Sequence, residues 1–328
     1  MEQRKFGNTG LAVSRLTFGC GAVGGLMTKG DARDQDRAIG WARDHGINFF
    51  DTAASYGNGV SEENLGRALN GNSDGLVIST KVGLSNDDLS DVYGAITRSL
   101  DASLARLRLD HVDIFQLHNT LGRTDFRGTL TIDQIMDAVV PAFDKLRDAG
   151  KVRFLGFTAK GEADDVHKLV SCGVFHSAQV FYNLLVPSAG EPIAANYPSD
   201  DYKLLLETAK AHGVGAIGVR VLAGGALSGS TARHPLGMRD VTPIGSETDY
   251  ATDVKRGLAF MPLVKAGHAG SLIELAIRYV ISNPALPTTE IGIATLDELQ
   301  QATAAVNKGP LSPDALAQIK QVQAGFVI

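Results

Sequence analysis

Four residues of this chain carry side chains suited to moving a proton, and each follows a short apolar run. Asp51 and Tyr56 come after Ile47–Phe50, in Asp51-Thr-Ala-Ala-Ser-Tyr56-Gly. Lys81 comes after Leu76–Thr80, and His118 after the run that ends at Leu117. Asp51 and Lys81, on neighbouring runs, can form a buried ion pair. A Lys81 cation beside Tyr56 is expected to lower the phenol from its ordinary pKa of ~10, because the cation favours the phenolate. A tyrosine tuned in that way can give or take a proton at a carbonyl or alcohol oxygen, and His118 can donate a hydrogen bond that orients the same oxygen. Taken singly, each has an ordinary explanation. An aspartate caps a turn, a lysine snorkels to solvent, a histidine packs, and Tyr56-Gly57 covers a turn. The chemical reading rests on all four occurring where three successive strands should end.

Other chemistries lack their residues. The eight histidines are scattered without an H-x-x-x-H pair, so no metal set is apparent. No G-x-S-x-G nucleophile elbow occurs, and no G-x-G-x-x-G follows a strand and opens a helix. The two cysteines, Cys20 and Cys172, rule out a disulfide scaffold. With 31 basic and 36 acidic residues the formal charge is −5, against a general nucleic-acid binder. Met-Glu-Gln-Arg-Lys-Phe-Gly lacks the apolar core of a signal peptide. No apolar run approaches the ~20 residues that span a bilayer, and a cytoplasmic protein that touches no membrane is expected.

The elements that must hold the four residues alternate regularly. Short apolar runs lie at Leu16–Phe18, Ile47–Phe50, Leu76–Thr80, Val112–Leu117, Val152–Phe157, Ala178–Phe181, Gly215–Val219 and Glu290–Ile293. Several are apolar on both faces, as buried parallel strands are. Helical patterns lie between them, at Asp34–His45, Ser61–Leu69, Asp91–Leu107, Ile135–Ala149, Ala163–Ser171, Asp200–His212, Ser271–Ile281 and Leu296–Val306. Ser61 is the expected N-cap of the second. Gly46, Gly150 and Gly213 follow three others, where a C-cap needs positive φ. Pro141 must kink the fourth or mark its true start.

Eight βα units favour a (β/α)8 TIM barrel as a single domain over residues 1–328, ~250 residues being typical of the fold. Lys-Phe-Gly-Asn-Thr-Gly-Leu-Ala-Val near the start reads as a small hairpin that plugs the barrel bottom. Residues 119–131, 186–199 and 228–268 are long insertions after strands, expected to overhang the C-terminal face where a barrel's active site lies.

These residues resemble the aldo-keto reductases. The resemblance runs through Phe-Gly-Asn-Thr-Gly-Leu-Ala-Val-Ser, Gly-Ile-Asn-Phe-Phe-Asp51-Thr-Ala-Ala-Ser-Tyr56-Gly, Ile-Ser-Thr-Lys81-Val, Val-Asp-Ile-Phe-Gln-Leu-His118, Gly-Lys-Val-Arg-Phe-Leu-Gly156-Phe-Thr158 and Gln179-Val-Phe-Tyr-Asn-Leu-Leu. It implies a barrel that binds an extended nicotinamide cofactor, with Tyr56, Lys81, Asp51 and His118 as a catalytic tetrad and Tyr56 as general acid in carbonyl reduction. Many members carry Ser-Asn where this chain has Thr158-Ala159, so Thr158 and Gln179 are the groups left to bond the carboxamide. Many stack an aromatic ring on the nicotinamide where this chain reads Gly218-Val219-Arg220-Val221-Leu222. There Val219 or Leu222 could pack on the ring, and Arg220 could meet the pyrophosphate.

The last unit bears on the choice between NADP(H) and NAD(H). Members that prefer NADP often carry an arginine early in the eighth helix. Here Ala294-Thr295-Leu-Asp297-Glu298-Leu-Gln-Gln301 has none, and Asp297 and Glu298 would repel a second phosphate. Thr295-x-x-Glu298 is also a capping box, sufficient reason for Glu298. The expectation is an enzyme that uses NAD(H) at least as well as NADP(H), without a metal, on a small carbonyl or alcohol substrate. With 6% aromatic residues and the single Trp41, a polar or sugar-like substrate is favoured. Two rivals stand beside this reading: a cofactor-sensing binding subunit with negligible turnover, and an aldolase with Lys81 as Schiff-base former. The second needs an uncharged lysine, which Asp51 opposes. The oligomeric state is not legible.

Overall fold

The computed structural model describes residues 1–123 and 128–327. The strands are β1 (Gln3–Lys5), β2 (Ala12–Ser14), β3 (Leu16–Gly19), β4 (Phe49–Asp51), β5 (Val77–Val82), β6 (Val112–Leu117), β7 (Thr120–Leu121), β8 (Thr129–Leu130), β9 (Val152–Thr158), β10 (Ser177–Phe181), β11 (Gly215–Val219) and β12 (Thr288–Gly292). Eight of them close into a parallel barrel in the order β3-β4-β5-β6-β9-β10-β11-β12, the last pairing with the first. The apolar runs of the sequence are these eight strands, shifted at their ends by two residues or fewer. Helices at Ala32–Asp44, Val60–Leu69, Val92–Leu107, Val140–Asp148, Ala163–Ser171, Leu205–Ala211, Leu272–Ile281 and Leu296–Asn307 cover the outside. This is the expected TIM barrel.

The barrel bottom is closed by β1 and β2, which pair antiparallel as a hairpin. Phe6 and Val13 from this hairpin pack with Phe49, Val77, Ile114 and Ile217. The Phe6 ring meets Phe49 edge-on at 5.8 Å. Asn48 fastens the hairpin, accepting from the Ser14 N–H at 2.7 Å and donating to the Ala12 carbonyl at 2.8 Å. The plug therefore sits at the opposite end from the residues that follow the strands.

Several local expectations are corrected. Ser61 is not an N-cap: Gly59, with φ of 92°, occupies that position. Ser61 lies one residue inside the helix, fully buried, donating to the Cys20 carbonyl at 2.9 Å and sharing a hydrogen bond with Thr52. The helix expected over Asp200–His212 begins only at Leu205. Lys203 and Leu204 are held at positive φ, with the Leu204 N–H on the Ser188 carbonyl at 3.0 Å, and helix cannot pass through that turn. Pro141 does mark a change, because a π-helical turn at Ile135–Val139 gives way to α-helix at Val140. Residues 228–268 are more than a loop, since they include helices Tyr250–Leu258 and Met261–Lys265. Pro313–Ala324 is an added helix at the C-terminal side. Of the insertion 119–131, residues 124–127 lie outside the described residues; the rest contributes β7 and β8.

Above the barrel mouth, part of the longest insertion lies over the segment that follows β3. A Cβ on Gly24 would come within 2.1 Å of the Ile293 nitrogen, and one on Gly25 within 1.9 Å of the Leu236 carbonyl. Only glycine lets these three stretches of backbone pass so closely. Among the described residues, no helix is long and apolar enough to cross a membrane.

Candidate active site

Register places the polar residues. Gly19, Asp51 and Ser79 stand level on β3, β4 and β5. Lys81 stands level with Gln116 on β6, and Gln179 on β10 with Thr158 on β9. The barrel interior just below the mouth is therefore polar in an otherwise apolar core. Each polar group needs a partner there, because an unpaired one costs several kcal/mol.

Asp51 is the hub. Its carboxylate accepts from the Lys81 ammonium and the Ser79 hydroxyl, from Gln116 Nε2 at 2.9 Å and from Gln179 Nε2 at 3.2 Å. The Lys81–Asp51 ion pair is fully buried. Lys81 Nζ donates also to the Thr52 carbonyl at 2.7 Å and to the Tyr56 hydroxyl at 3.2 Å. His118 sets its ring edge-on to Tyr56, centroids 5.8 Å apart. The four residues singled out from the sequence thus converge on one point at the C-terminal end of the barrel.

The electrostatics correct one expectation. Tyr56 is not brought toward neutrality; it is pushed up to about 12. Burial is the largest cause. Lys81 pulls the phenol down, but Asp51 and Glu290 both oppose it. Burial pulls the Lys81 ammonium down as well, yet Asp51, Tyr56 and Glu290 together hold it above the usual lysine range. His118 is pushed down to about 3, by burial first and then by Lys81 and Lys160, so its imidazole is neutral and keeps one N–H to donate.

The residues expected at a cofactor divide into three groups. Thr158 and Gln179 lie against the tetrad, with the Thr158 hydroxyl donating to Gln179 Oε1 at 3.1 Å. Gln179 Nε2 is taken by Asp51 and by Glu290 at 2.8 Å, so the amide carbonyl is the face turned away from the acids. Arg220 follows β11 in the left-handed region, φ 57°, with its guanidinium donating to the Thr242 carbonyl at 3.3 Å and near enough to Tyr56 to feel a phenolate there. Its backbone carbonyl is held by Asn183 at 2.9 Å, and Leu222 lies two residues on, partly buried against the core. Ala294, Thr295, Glu298 and Gln301 form a separate group at the start of the Leu296–Asn307 helix. There the Thr295 hydroxyl accepts from the Glu298 N–H at 3.2 Å, and the Glu298 carboxylate accepts from the Ala294 N–H at 2.8 Å. The expected capping box is thus only half formed, because the Glu298 carboxylate reaches the residue before the N-cap and not the Thr295 N–H itself; Gln301 is exposed one turn further on.

Sequence reasoning missed Ser79, Gln116 and Glu290. Their signal was present: Ser79 and Gln116 are polar residues inside apolar runs and Glu290 opens one, and all three face the barrel axis. Among the described residues no group of three or more His, Cys, Asp or Glu is placed to hold a metal.

The sequence profile of the Aldo/keto reductase family matches residues 15–324. L-galactose dehydrogenase of Arabidopsis thaliana is 29% identical over 318 residues, 94% of this chain and 89% of that protein. A probable voltage-gated potassium channel subunit beta of the same plant is 28% identical over 347 residues, 98% of this chain and 96% of that protein. A crystal structure of an aldo/keto reductase from Klebsiella pneumoniae in complex with NADP and acetate has a TM-score of 0.69 at 22% identity, covering 98% of this chain and 95% of that one. It shares the fold. With the family profile matched over nearly its full length, this chain belongs to the aldo/keto reductase family of oxidoreductases.

Proposed function

We propose that this protein interconverts a carbonyl and an alcohol with a nicotinamide cofactor, and that Tyr56 transfers the proton. The observation that carries this reading is the line Tyr56–Lys81–Asp51, a phenol hydrogen-bonded to an ammonium that is fixed by a buried carboxylate. At neutral pH a phenol pushed up to about 12 is protonated. It is therefore ready to give a proton to a carbonyl oxygen that is becoming an alkoxide. Lys81 then stabilises the phenolate left behind. His118, neutral and edge-on to the phenol, is placed to donate its N–H to the same oxygen and fix the substrate's orientation.

The residues present fit a nicotinamide cofactor. When bound, the cofactor supplies or accepts the hydride. Its carboxamide amino group matches two acceptors, the Gln179 carbonyl and the Thr158 hydroxyl oxygen. Ala159 offers no side-chain donor to the carboxamide oxygen, so recognition on that side is weaker. Arg220 is the cation available for the pyrophosphate. The Ala294–Gln301 segment would face the adenosine end. It contributes no base, and NAD(H) is therefore used at least as well as NADP(H).

A cavity of about 410 Å³ beside His118 is lined by Ser55, Leu84, Ser99, Asn119 and Thr120 among others. The hydroxyls of Ser55, Ser99 and Thr120 stand there beside apolar surface from Ala54 and Leu84, a mixed lining that suits a small hydroxylated carbonyl or sugar; the similarity to L-galactose dehydrogenase points the same way. The similarity to a channel subunit favours a second reading, a cofactor-binding subunit without appreciable turnover. A panel of aldehydes, ketones and sugars read by NADH and NADPH absorbance in both directions separates the two. Steady turnover that Tyr56→Phe abolishes supports the enzyme, whereas tight cofactor binding with no turnover on any substrate supports the subunit. A Schiff-base role for Lys81 is disfavoured, since its neighbours hold it charged.

A further inference from the structure

Beneath the tetrad lies a second acid that the reaction as described does not use. Glu290 is the third residue of β12 and pairs in register with Thr17 of β3. Its side chain crosses over Gly19, where a Cβ would come within 3.0 Å of Oε1. The absence of a side chain at Gly19 is what lets the carboxyl reach the barrel axis. There it accepts from Gln179 Nε2 at 2.8 Å, and the same Nε2 reaches Asp51 at 3.2 Å. Glu290 is itself within hydrogen-bond reach of Asp51. A continuous chain of contacts therefore runs from Glu290 through Gln179 and Asp51 to Lys81 and Tyr56.

We propose that Glu290 is a fifth ionisable member of this site, a positioning residue that holds one proton against Asp51 and, through Lys81, sets how readily Tyr56 gives up its own. Charge balance favours the proton. The titratable groups that face Glu290 are Asp51 on β4, Lys81 on β5, Tyr56 beyond β4 and Cys20 beyond β3. Only Lys81 among them is cationic, and Asp51 already neutralises it. Two ionised carboxylates against one ammonium would leave a net negative charge under the phenol, where Asp51 and Lys81 are fully buried and Glu290 and Tyr56 are half-buried. One proton shared between the two acids removes it. Burial and Asp51 together push Glu290 up to about 8, while Lys81 and the Gln179 amide pull the other way. The Cys20 thiol, pushed up by burial and by both acids, stays uncharged.

The coupling has a definite sign. Below about pH 8 Glu290 is neutral and Tyr56 feels a balanced Lys81–Asp51 pair. Above it, the new negative charge raises the Tyr56 pKa and opposes phenolate formation. Alcohol oxidation needs Tyr56 as a base, so its rise with pH should slacken near pH 8. Glu290→Gln keeps an oxygen to accept from Gln179 but cannot ionise. Its oxidation rate should match wild type at pH 6–7 and exceed it at pH 9–10 by up to about tenfold, the effect of removing one nearby like charge. A purely structural residue would shift the rate equally at every pH.

The part that concerns Tyr56 rests on the proposed oxidoreductase activity, but the proton on Glu290 does not. Infrared difference spectra of the protein alone, recorded from pH 6 to 10, read that proton directly. A protonated carboxyl band that disappears with a midpoint near pH 8 in wild type, persists in Tyr56→Phe and is absent in Glu290→Gln is the expected result. No such band in wild type, or an unchanged one in Glu290→Gln, would overturn the proposal whether or not the protein turns over any substrate. If Glu290→Gln does not fold, glutamate-selective carbon-13 labelling of the wild-type protein shifts a glutamate band but not an aspartate band, and decides the same question. Coincident oxidation profiles for wild type and Glu290→Gln across pH 6–10 would also overturn it.

Discussion

The Lys81 ammonium lies 3.2 Å from the Tyr56 hydroxyl, and its remaining contacts, the Asp51 carboxylate and the Thr52 carbonyl, are both acceptors. A cation so enclosed cannot leave the phenol, because swinging away would strand the buried Asp51 carboxylate. Lys81 is thus a fixed charge beside the group that handles the proton.

Removing that charge should affect stability and chemistry together. Lys81→Met leaves Asp51 buried without its counter-ion, which costs about 3–5 kcal/mol in comparable sites. The loss should be smaller in acid, where the stranded carboxyls take up protons, and larger in alkali. Denaturant unfolding at pH 5, 7 and 9 measures it. Asp51→Asn should be milder, since Lys81 keeps its charge and Glu290 is at hand. Equal stability of wild type and Lys81→Met at pH 9 would show that the pair contributes nothing.

The two reaction directions should depend differently on pH. Carbonyl reduction uses the protonated phenol, which a pKa of about 12 preserves across the neutral range, so kcat for reduction should stay nearly level from pH 6 to 9. Oxidation uses the phenolate, whose fraction grows about tenfold per pH unit below the pKa. Its rate should climb steeply from pH 6 to 8, and less steeply once Glu290 ionises. Oxidation that is level from pH 7 upward would mean that Tyr56 titrates far lower.

Cofactor choice should follow the missing base near Ala294–Gln301. One absent charge-assisted contact to a phosphate is worth about 1.5–3 kcal/mol, or roughly 10–150-fold in affinity. NADH should therefore give a kcat/KM at least equal to that of NADPH, and Glu298→Arg should move the ratio toward NADPH. The same variant loses the bond to the Ala294 N–H, so its Tm should fall slightly. A wild-type enzyme that prefers NADPH tenfold would place a base from residues 220–240 at the phosphate.

The plug and the site lie at opposite ends of the barrel, which makes them separable. Phe6 is fully buried and edge-on to Phe49, so Phe6→Ala should cost about 3–5 kcal/mol of stability. Below its lowered Tm the variant should keep wild-type kcat, because the residues that act on substrate follow the strands at the other end. A large fall in kcat without a fall in Tm would mean that the ends are coupled.

The site could be read from the sequence wherever a charged or aromatic residue ended an apolar run, as Asp51, Lys81 and His118 do. It was hidden where the polar residue sat inside a run. Gln116 looks like one interruption of Val112–Leu117, and only register shows it level with Lys81 and aimed at Asp51. Glu290 reads as the first residue of its strand, which would put it low in the barrel. The strand in fact begins at Thr288, and the carboxyl enters the polar layer. Tyr56 is expected to move down from the sequence and is found to move up chiefly because its burial, and secondarily the charges of Asp51 and Glu290, are not legible there. The helices within 228–268 were masked by the glycines, prolines and serines around them.

The most direct test is the steady-state rate of Tyr56→Phe. A phenyl ring fills nearly the same volume and keeps its edge to His118, so NADH binding, followed by fluorescence, should remain near wild type. With no hydroxyl to give the proton, kcat for carbonyl reduction should fall by about 10²–10⁴. A variant that binds NADH normally and keeps more than a tenth of wild-type kcat would show that another group carries the proton.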